Sequence, residues 1–246
     1  MIRCLLGVSL LVIASQGFAQ QTISILIPGT QQQIQADVYG SEKTGSEKNG
    51  TERNGDAKKD SGKRGIVLAH GGQFHRESWR KQAQTLADRG FLVLAISFRG
   101  DRNNPDGSPG SFGDTPDNAT DVLAAVAYLH QRGIKSVSAI GASMGGDAVG
   151  EADARSAAGE FDRVVFLGSS GGDFPAKLKG RKLFLVARYD RSGSGLRLPE
   201  ISSQYAKAPQ PKKLIVLDGS AHAQFLFHTE QGPRAMEEIL RFVSSP

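Results

Sequence analysis

The chain has 246 residues, 39% of them apolar and 22% charged, which suits one domain with a sizeable core and is too short for a multidomain assembly. The formal charge of +5 comes from scattered Lys and Arg accompanied by acids. No zinc-type Cys/His spacing, Walker A sequence or Gly-x-Gly-x-x-Gly fingerprint occurs, so a nucleic-acid partner, a bound metal and a nucleotide cofactor are not expected.

Met1-Ile2-Arg3 is a short basic start, residues 4–15 are an apolar run, and Gly17-Phe18-Ala19 places small residues where a signal peptidase reads them. This pattern predicts a leader at residues 1–19, cleaved after residue 19 or 20. It leaves a single domain over 20–246 that is periplasmic or secreted and has no stable membrane anchor. The one cysteine, Cys4, lies within the leader, so the mature domain is expected to have no disulfide.

Residues 23–27 and 33–39 read as an opening hairpin around Pro28-Gly29. Residues 41–64 then repeat Ser/Thr-Glu-Lys/Arg-x-Gly three times and run on with almost nothing to bury, which predicts a mobile, charge-balanced loop. Beyond it, six apolar runs at 65–69, 91–96, 136–140, 163–167, 182–187 and 213–217 read as buried strands. Amphipathic stretches at 76–89, 116–131, 145–157 and 230–243 read as helices. The hairpin and six runs together predict a mostly parallel eight-stranded sheet flanked by helices in a three-layer α/β sandwich.

The sharpest local feature is Gly141-Ala142-Ser143-Met144-Gly145, a Gly-x-Ser-x-Gly sequence between a strand and a helix. Such a turn lifts the serine hydroxyl above the sheet, and the helix N-terminus behind it favours developing negative charge. Ser143 is therefore the candidate nucleophile. Among five histidines, His222 lies in the loop after the last strand, where it can reach back over the strand ends as general base. Asp190, after the strand at 182–187, is the candidate orienting carboxylate, with Asp173 and Asp218 as alternatives. The turn His70-Gly71-Gly72-Gln73 follows an earlier strand. The amide of Gly72, or of Gln73 instead, would join that of Met144 as oxyanion donors, while His70 shapes the turn. Trp79 and Tyr128 fall in helical patterns and are expected to pack, not to bind substrate. The Gly- and Pro-rich segment 99–117 reads mainly as an irregular strand-to-helix connection.

The chain order Ser143, Asp190, His222 follows that of one hydrolase sheet. Together with HGG at 70–72, SFRG at 97–100, GASMGG at 141–146 and YD at 189–190, the chain resembles the α/β-hydrolase superfamily over about residues 23–244. It is similar to small bacterial serine esterases near the dienelactone-hydrolase and prolyl-oligopeptidase-like branches. The resemblance implies attack on an activated carbonyl, an acyl-enzyme and its hydrolysis, with a small-molecule ester as substrate and no cofactor, and the small domain without an evident lid suits a short acyl chain. Amide or peptide hydrolysis by the same triad is the enzymatic alternative, and an inactive secreted binding protein the non-enzymatic one. Two departures stand out. Serine occupies the place where dienelactone hydrolases have cysteine, and Ala223 follows His222 where glycine is common.

Overall fold

The computed structural model describes residues 21–40, 64–99 and 117–245. The expected leader lies outside the described residues. So do the expected charged loop, apart from Arg64, and the segment 99–117, apart from its two end residues.

The opening strands β1 (Gln21–Leu26) and β2 (Gln33–Tyr39) pair antiparallel, with Gln21 opposite Val38. The later strands are β3 (Arg64–Ala69), β4 (Leu92–Ile96), β5 (Ser136–Ala142), β6 (Arg163–Leu167), β7 (Arg181–Ala187) and, after a separate two-residue pair β8 (Arg191–Ser192) and β9 (Gly195–Leu196), β10 (Lys212–Leu217). The main sheet has eight strands in the order β1-β2-β4-β3-β5-β6-β7-β10. β2 runs antiparallel to β4, and every pair beyond β4 is parallel. β4 and β6 are buried at every residue, because parallel strands covered on both faces need apolar side chains on both.

Helices α1 (Arg80–Ala87), α2 (Asn118–Gln131), α3 (Met144–Arg155), α4 (Arg197–Lys207) and α5 (Gly232–Ser244) cover the sheet. Val122, Val149 and Ile201 from α2, α3 and α4 join one core with Phe166 and Phe184. Leu86, Ile239 and Val243 from α1 and α5 join the other with Ile66, Leu68 and Leu183. Trp79 is buried in that second core, edge-on to Phe227. Among the described residues no helix is long and apolar enough to cross a membrane.

The structure departs from the sequence reading at several ends. The helix expected at 76–89 opens as a single 3₁₀ turn over Arg76–Trp79 before α1 starts. α2 starts two residues late because Asp117 caps it, its Oδ1 accepting from the Thr120 amide at 3.4 Å and its Oδ2 from the Thr120 hydroxyl at 2.9 Å. Helix α4 has no counterpart in the sequence reading, although Leu198, Ile201 and Tyr205 pack on the core from one face of it, Ile201 alone fully buried.

The strand order places the site. β3 has β4 on one side and β5 on the other, and the connections through α1 and α2 cross on opposite faces. The chain therefore reverses its winding between β3 and β5, and a crevice opens beyond their carboxyl ends. Ala69 is paired with Gly141 there, so the turns after these two strands are neighbours.

Close by, Asp121 of α2 is fully buried and accepts hydrogen bonds from the Arg99 amide at 2.8 Å and from Arg99 Nε at 2.5 Å. Burial outweighs that ion pair and the carboxyl is pushed from 3.8 up to about 6, with the neighbouring Asp117 charge adding to the rise. Between those two values the native state keeps a proton that the unfolded chain has released. The contribution of Asp121 to stability therefore falls as pH rises through the window. At about 1.4 kcal/mol per pKa unit, the loss is on the order of 3 kcal/mol. Asp121→Asn is expected to remove this slope, which urea unfolding of both proteins at stepped pH would read.

Candidate functional site

Ser143 sits between β5 and α3 with φ 50° and ψ −120°, a left-handed backbone that a serine adopts only when its surroundings impose it. Its amide donates to the Leu167 carbonyl at 2.9 Å, and its own carbonyl accepts from Gly146 and Asp147, the start of α3. The flanking glycines are required by close approach. A Cβ on Gly141 would lie 2.1 Å from the Gly145 carbonyl oxygen, and one on Gly145 would lie 2.4 Å from that of Ala69. The Gly-x-Ser-x-Gly spacing is therefore a packing requirement of a strand turning directly into a helix against β3.

The structure brings Ser143, His222 and Asp190 together. His222 Nε2 is 2.7 Å from Ser143 Oγ. His222 Nδ1 is 2.8 Å from Asp190 Oδ2 and 3.1 Å from Oδ1. A carboxylate only accepts, so Nδ1 carries the proton and Nε2 faces the serine hydroxyl as acceptor. Asp190 is fully buried, whereas a quarter of the His222 side chain (26%) is exposed, so the imidazole can meet a ligand that the acid cannot. The two loops are tied together, the Tyr189 amide donating to the Gly219 carbonyl at 2.9 Å. The Arg197 amide donates to the Asp190 carbonyl at 2.9 Å, and Arg197 Nε lies 3.6 Å from Asp190 Oδ1. The alternatives are elsewhere: Asp173 and Asp218 are exposed, and Asp218 faces Arg188 at 3.8 Å.

The departure at Ala223 has a structural consequence. Its φ is 49°, so an alanine occupies a backbone region that glycine enters more freely, immediately after His222. Ala223 is buried, and it packs against Gly168, where an added Cβ would meet the Ala223 amide nitrogen at 2.9 Å.

The turn after β3 lies against the serine. A Cβ on Gly71 would stand 3.5 Å from Ser143 Cβ, and one on Gly72 would stand 3.8 Å from Met144 Sδ. Within the turn the Phe74 amide closes onto the Gly71 carbonyl at 2.9 Å, and the Gly71 amide donates to Gln224 Oε1 at 2.8 Å. Gly72 and Gln73 are exposed, and their amides have no such partner among the described residues. Met144 is the first residue of α3, so its amide has no partner within the helix. His70 is buried, with Nδ1 2.9 Å from the Gly71 carbonyl oxygen, as a residue shaping the turn would be. One turn into α3, burial pushes the Asp147 carboxyl up against the opposing pull of the Ser169 hydroxyl, which donates to it at 2.7 Å.

Two further polar side chains are engaged with partners outside this cluster. Arg99 is held by Asp121 and Gln32, and the His130 ring bridges the Ile134 and Glu160 carbonyls. Among the described residues no group of three or more His, Cys, Asp or Glu is placed to hold a metal ion. A cavity of about 360 Å³ is lined by Phe74, Ser78, Arg80, Gln224, Phe227 and His228, and none of Ser143, Asp190 and His222 borders it. Gln224 escaped the sequence reading because a lone amide in the short 3₁₀ helix Ala223–His228 has no pattern. Its only signal was its place two residues after His222.

A model of the alpha/beta hydrolase family matches residues 66–193, just over half of the chain. The chain belongs to the alpha/beta hydrolase family. The match runs from β3 through the elbow to the loop of Asp190. A non-heme haloperoxidase from Rhodococcus erythropolis is 33% identical over 106 residues, which are 43% of this chain and only 37% of that relative. Among solved structures, a dienelactone hydrolase from Anabaena variabilis superposes with a TM-score of 0.64 at 16% identity, covering 89% of this chain and 94% of its own. A thermophilic esterase from Thermogutta terrifontis gives 0.63 at 16% identity, covering 92% of this chain and 100% of its own. At that identity the likeness is one of fold, and function rests on the site. The hydrolase fold and the hydrogen-bonded Ser–His–Asp chain are those of a serine-hydrolase-type site.

Proposed function

We propose that the chain is a serine esterase that hydrolyses small carboxylic esters with short acyl groups, with Ser143 as nucleophile, His222 as general base and acid, and Asp190 as the orienting carboxylate. The observation that carries this reading is the continuous hydrogen-bonded path from Ser143 Oγ through His222 to a fully buried Asp190. The amides of Gly72 and Met144, with Gln73 as the alternative to Gly72, serve as oxyanion donors. In the first half-reaction Ser143 Oγ bonds to the ester carbonyl carbon while its proton passes to His222 Nε2. The carbonyl electron pair moves onto oxygen, facing the two amides. Collapse re-forms the carbonyl and breaks the bond to the alcohol, which takes the proton from Nε2. Water then repeats the sequence on the acyl-enzyme, with His222 accepting its proton and returning it to Ser143. Each oxyanion donor is worth about 10²- to 10³-fold in rate when aimed at the developing charge.

The interval from Ser143 to Asp190 holds α3, β6, one 3₁₀ turn and β7, all parts of the sheet layers, which supports an open site for small substrates. The leader expected at residues 1–19 makes the periplasm or the exterior the proposed location.

The test is a fluorophosphonate probe on the folded protein, read by intact mass and peptide mapping. One probe per chain on Ser143, lost on prior denaturation, is the expected result. The same map shows whether the exported chain starts at Gln20 or Gln21. An ester panel graded by acyl length then reads the substrate. A well-folded protein that takes no probe would sink the esterase reading and leave a binding role on the same fold.

A further inference from the structure

We propose that Gln224 is a positioning residue that fixes which amides of the turn after β3 face the substrate. The inference rests on the esterase reading and extends it to a side chain that touches neither substrate nor triad. Gln224 is buried to within 2% of its surface. Its Oε1 accepts from the Gly71 amide at 2.8 Å and its Nε2 donates to Ser78 Oγ at 2.8 Å. Ser78 Oγ in turn donates to the His75 carbonyl at 2.5 Å. Both ends of the amide are thus held, one by the Gly-Gly turn and the other by the segment leading into α1.

The consequence follows from counting donors. The turn offers the amides of residues 71 to 74. Gln224 takes the first, the Gly71 carbonyl takes the last, and the Gly72 and Gln73 amides remain for a ligand. Gly71 is buried against Ser143 and Ala142, so its amide has no access to water if Gln224 cannot accept from it. A buried amide left without an acceptor costs enough to make a short glycine turn reorient its peptide planes. That rotation would carry the Gly72 amide away from the oxyanion. The device also links two parts of the chemistry, since Gln224 lies two residues beyond His222, in the 3₁₀ helix Ala223–His228 that His222 precedes, so one segment positions both the base and the donors.

A donor that tightens only on the oxyanion changes kcat and leaves ground-state binding alone. In the full chain, Gln224→Leu is expected to lower kcat on 4-nitrophenyl acetate by about 10- to 100-fold with KM within about threefold. A methyl trifluoromethyl ketone, whose hydroxyl-serine adduct bears the same oxyanion, should bind more weakly by a comparable factor. The pH midpoint of kcat/KM should stay where it is, because His222 and Asp190 are untouched. Fluorophosphonate titration counts the competent molecules in each preparation. Unchanged kcat overturns the proposal. So does a loss explained by fewer titratable sites with unchanged ketone affinity, or one accompanied by a moved pH midpoint, which would place the effect on His222. Ser78→Ala removes the far anchor and keeps the test alive if the leucine variant does not fold. It should weaken ketone binding threefold or more, and no weakening overturns the proposal. Wild-type protein that neither turns over the ester nor takes the probe would fail the esterase reading itself. Active wild type with an indifferent Gln224 variant fails this inference alone.

Discussion

Ser143→Ala is expected to abolish covalent labelling and lower ester turnover by about 10⁴-fold or more, and His222→Ala should come close to the same loss. The two residues act on one proton: without Nε2 the hydroxyl at 2.7 Å keeps it, and without the hydroxyl the imidazole has no nucleophile to activate. For that reason the double variant should be no slower than either single one. Neither substitution opens a buried apolar cavity, so the thermal midpoint should move by only a few degrees, and circular dichroism melts beside the rate measurements would establish this. A multiplicative loss in the double variant would mean that the two side chains work independently, contrary to the geometry.

The second large effect is expected at Asp190. In Asp190→Asn the side chain keeps its size, but an amide NH₂ can face His222 Nδ1 where a carboxylate oxygen stood at 2.8 Å. Nδ1 would then accept, the ring proton would move to Nε2, and the base would present a hydrogen to the serine instead of a lone pair. A fall in kcat of about 10³- to 10⁴-fold is expected from that exchange of tautomers, with substrate affinity little changed. Arg197, 3.6 Å from Oδ1 in the wild type, would lose its charged partner as well. Steady-state kinetics on the ester identified by the panel would read the effect. Near-normal kcat/KM would move the acid's role to another residue, although Asp173 and Asp218 are exposed and Asp218 faces Arg188.

The sheet was legible because burial on both faces leaves unbroken apolar runs. β6 was read at 163–167, its bounds in the structure, and the other runs lie within two residues of theirs. The elbow was legible for a different reason. Contacts as close as the one between Gly141 and Gly145 tolerate no side chain, and that requirement is written directly into residue identity. What stayed hidden depends on partners distant in the chain. Gln224 reaches back 153 residues to Gly71, and the buried Arg76 pairs with Asp37 and Ser97, contacts that no local pattern announces. Helix α4 escaped notice because Pro199 in its first turn reads equally well as a loop, although Leu198, Ile201 and Tyr205 pack on the core. The β8–β9 pair is two residues long on each side, too short for alternation to show.

The three side chains of the site hang from the ends of β5, β7 and β10, and β10 is one of the two edge strands, docking on β7 alone. Each partner must therefore be found across dozens of intervening residues, a topology that folds slowly compared with one built on local contacts. Helical signal can return while β10 is still unplaced, whereas hydrolysis cannot. In refolding experiments the recovery of turnover should lag behind the recovery of secondary structure, so that enzymatic activity acts as a clock for the moment when all three strand ends are in place.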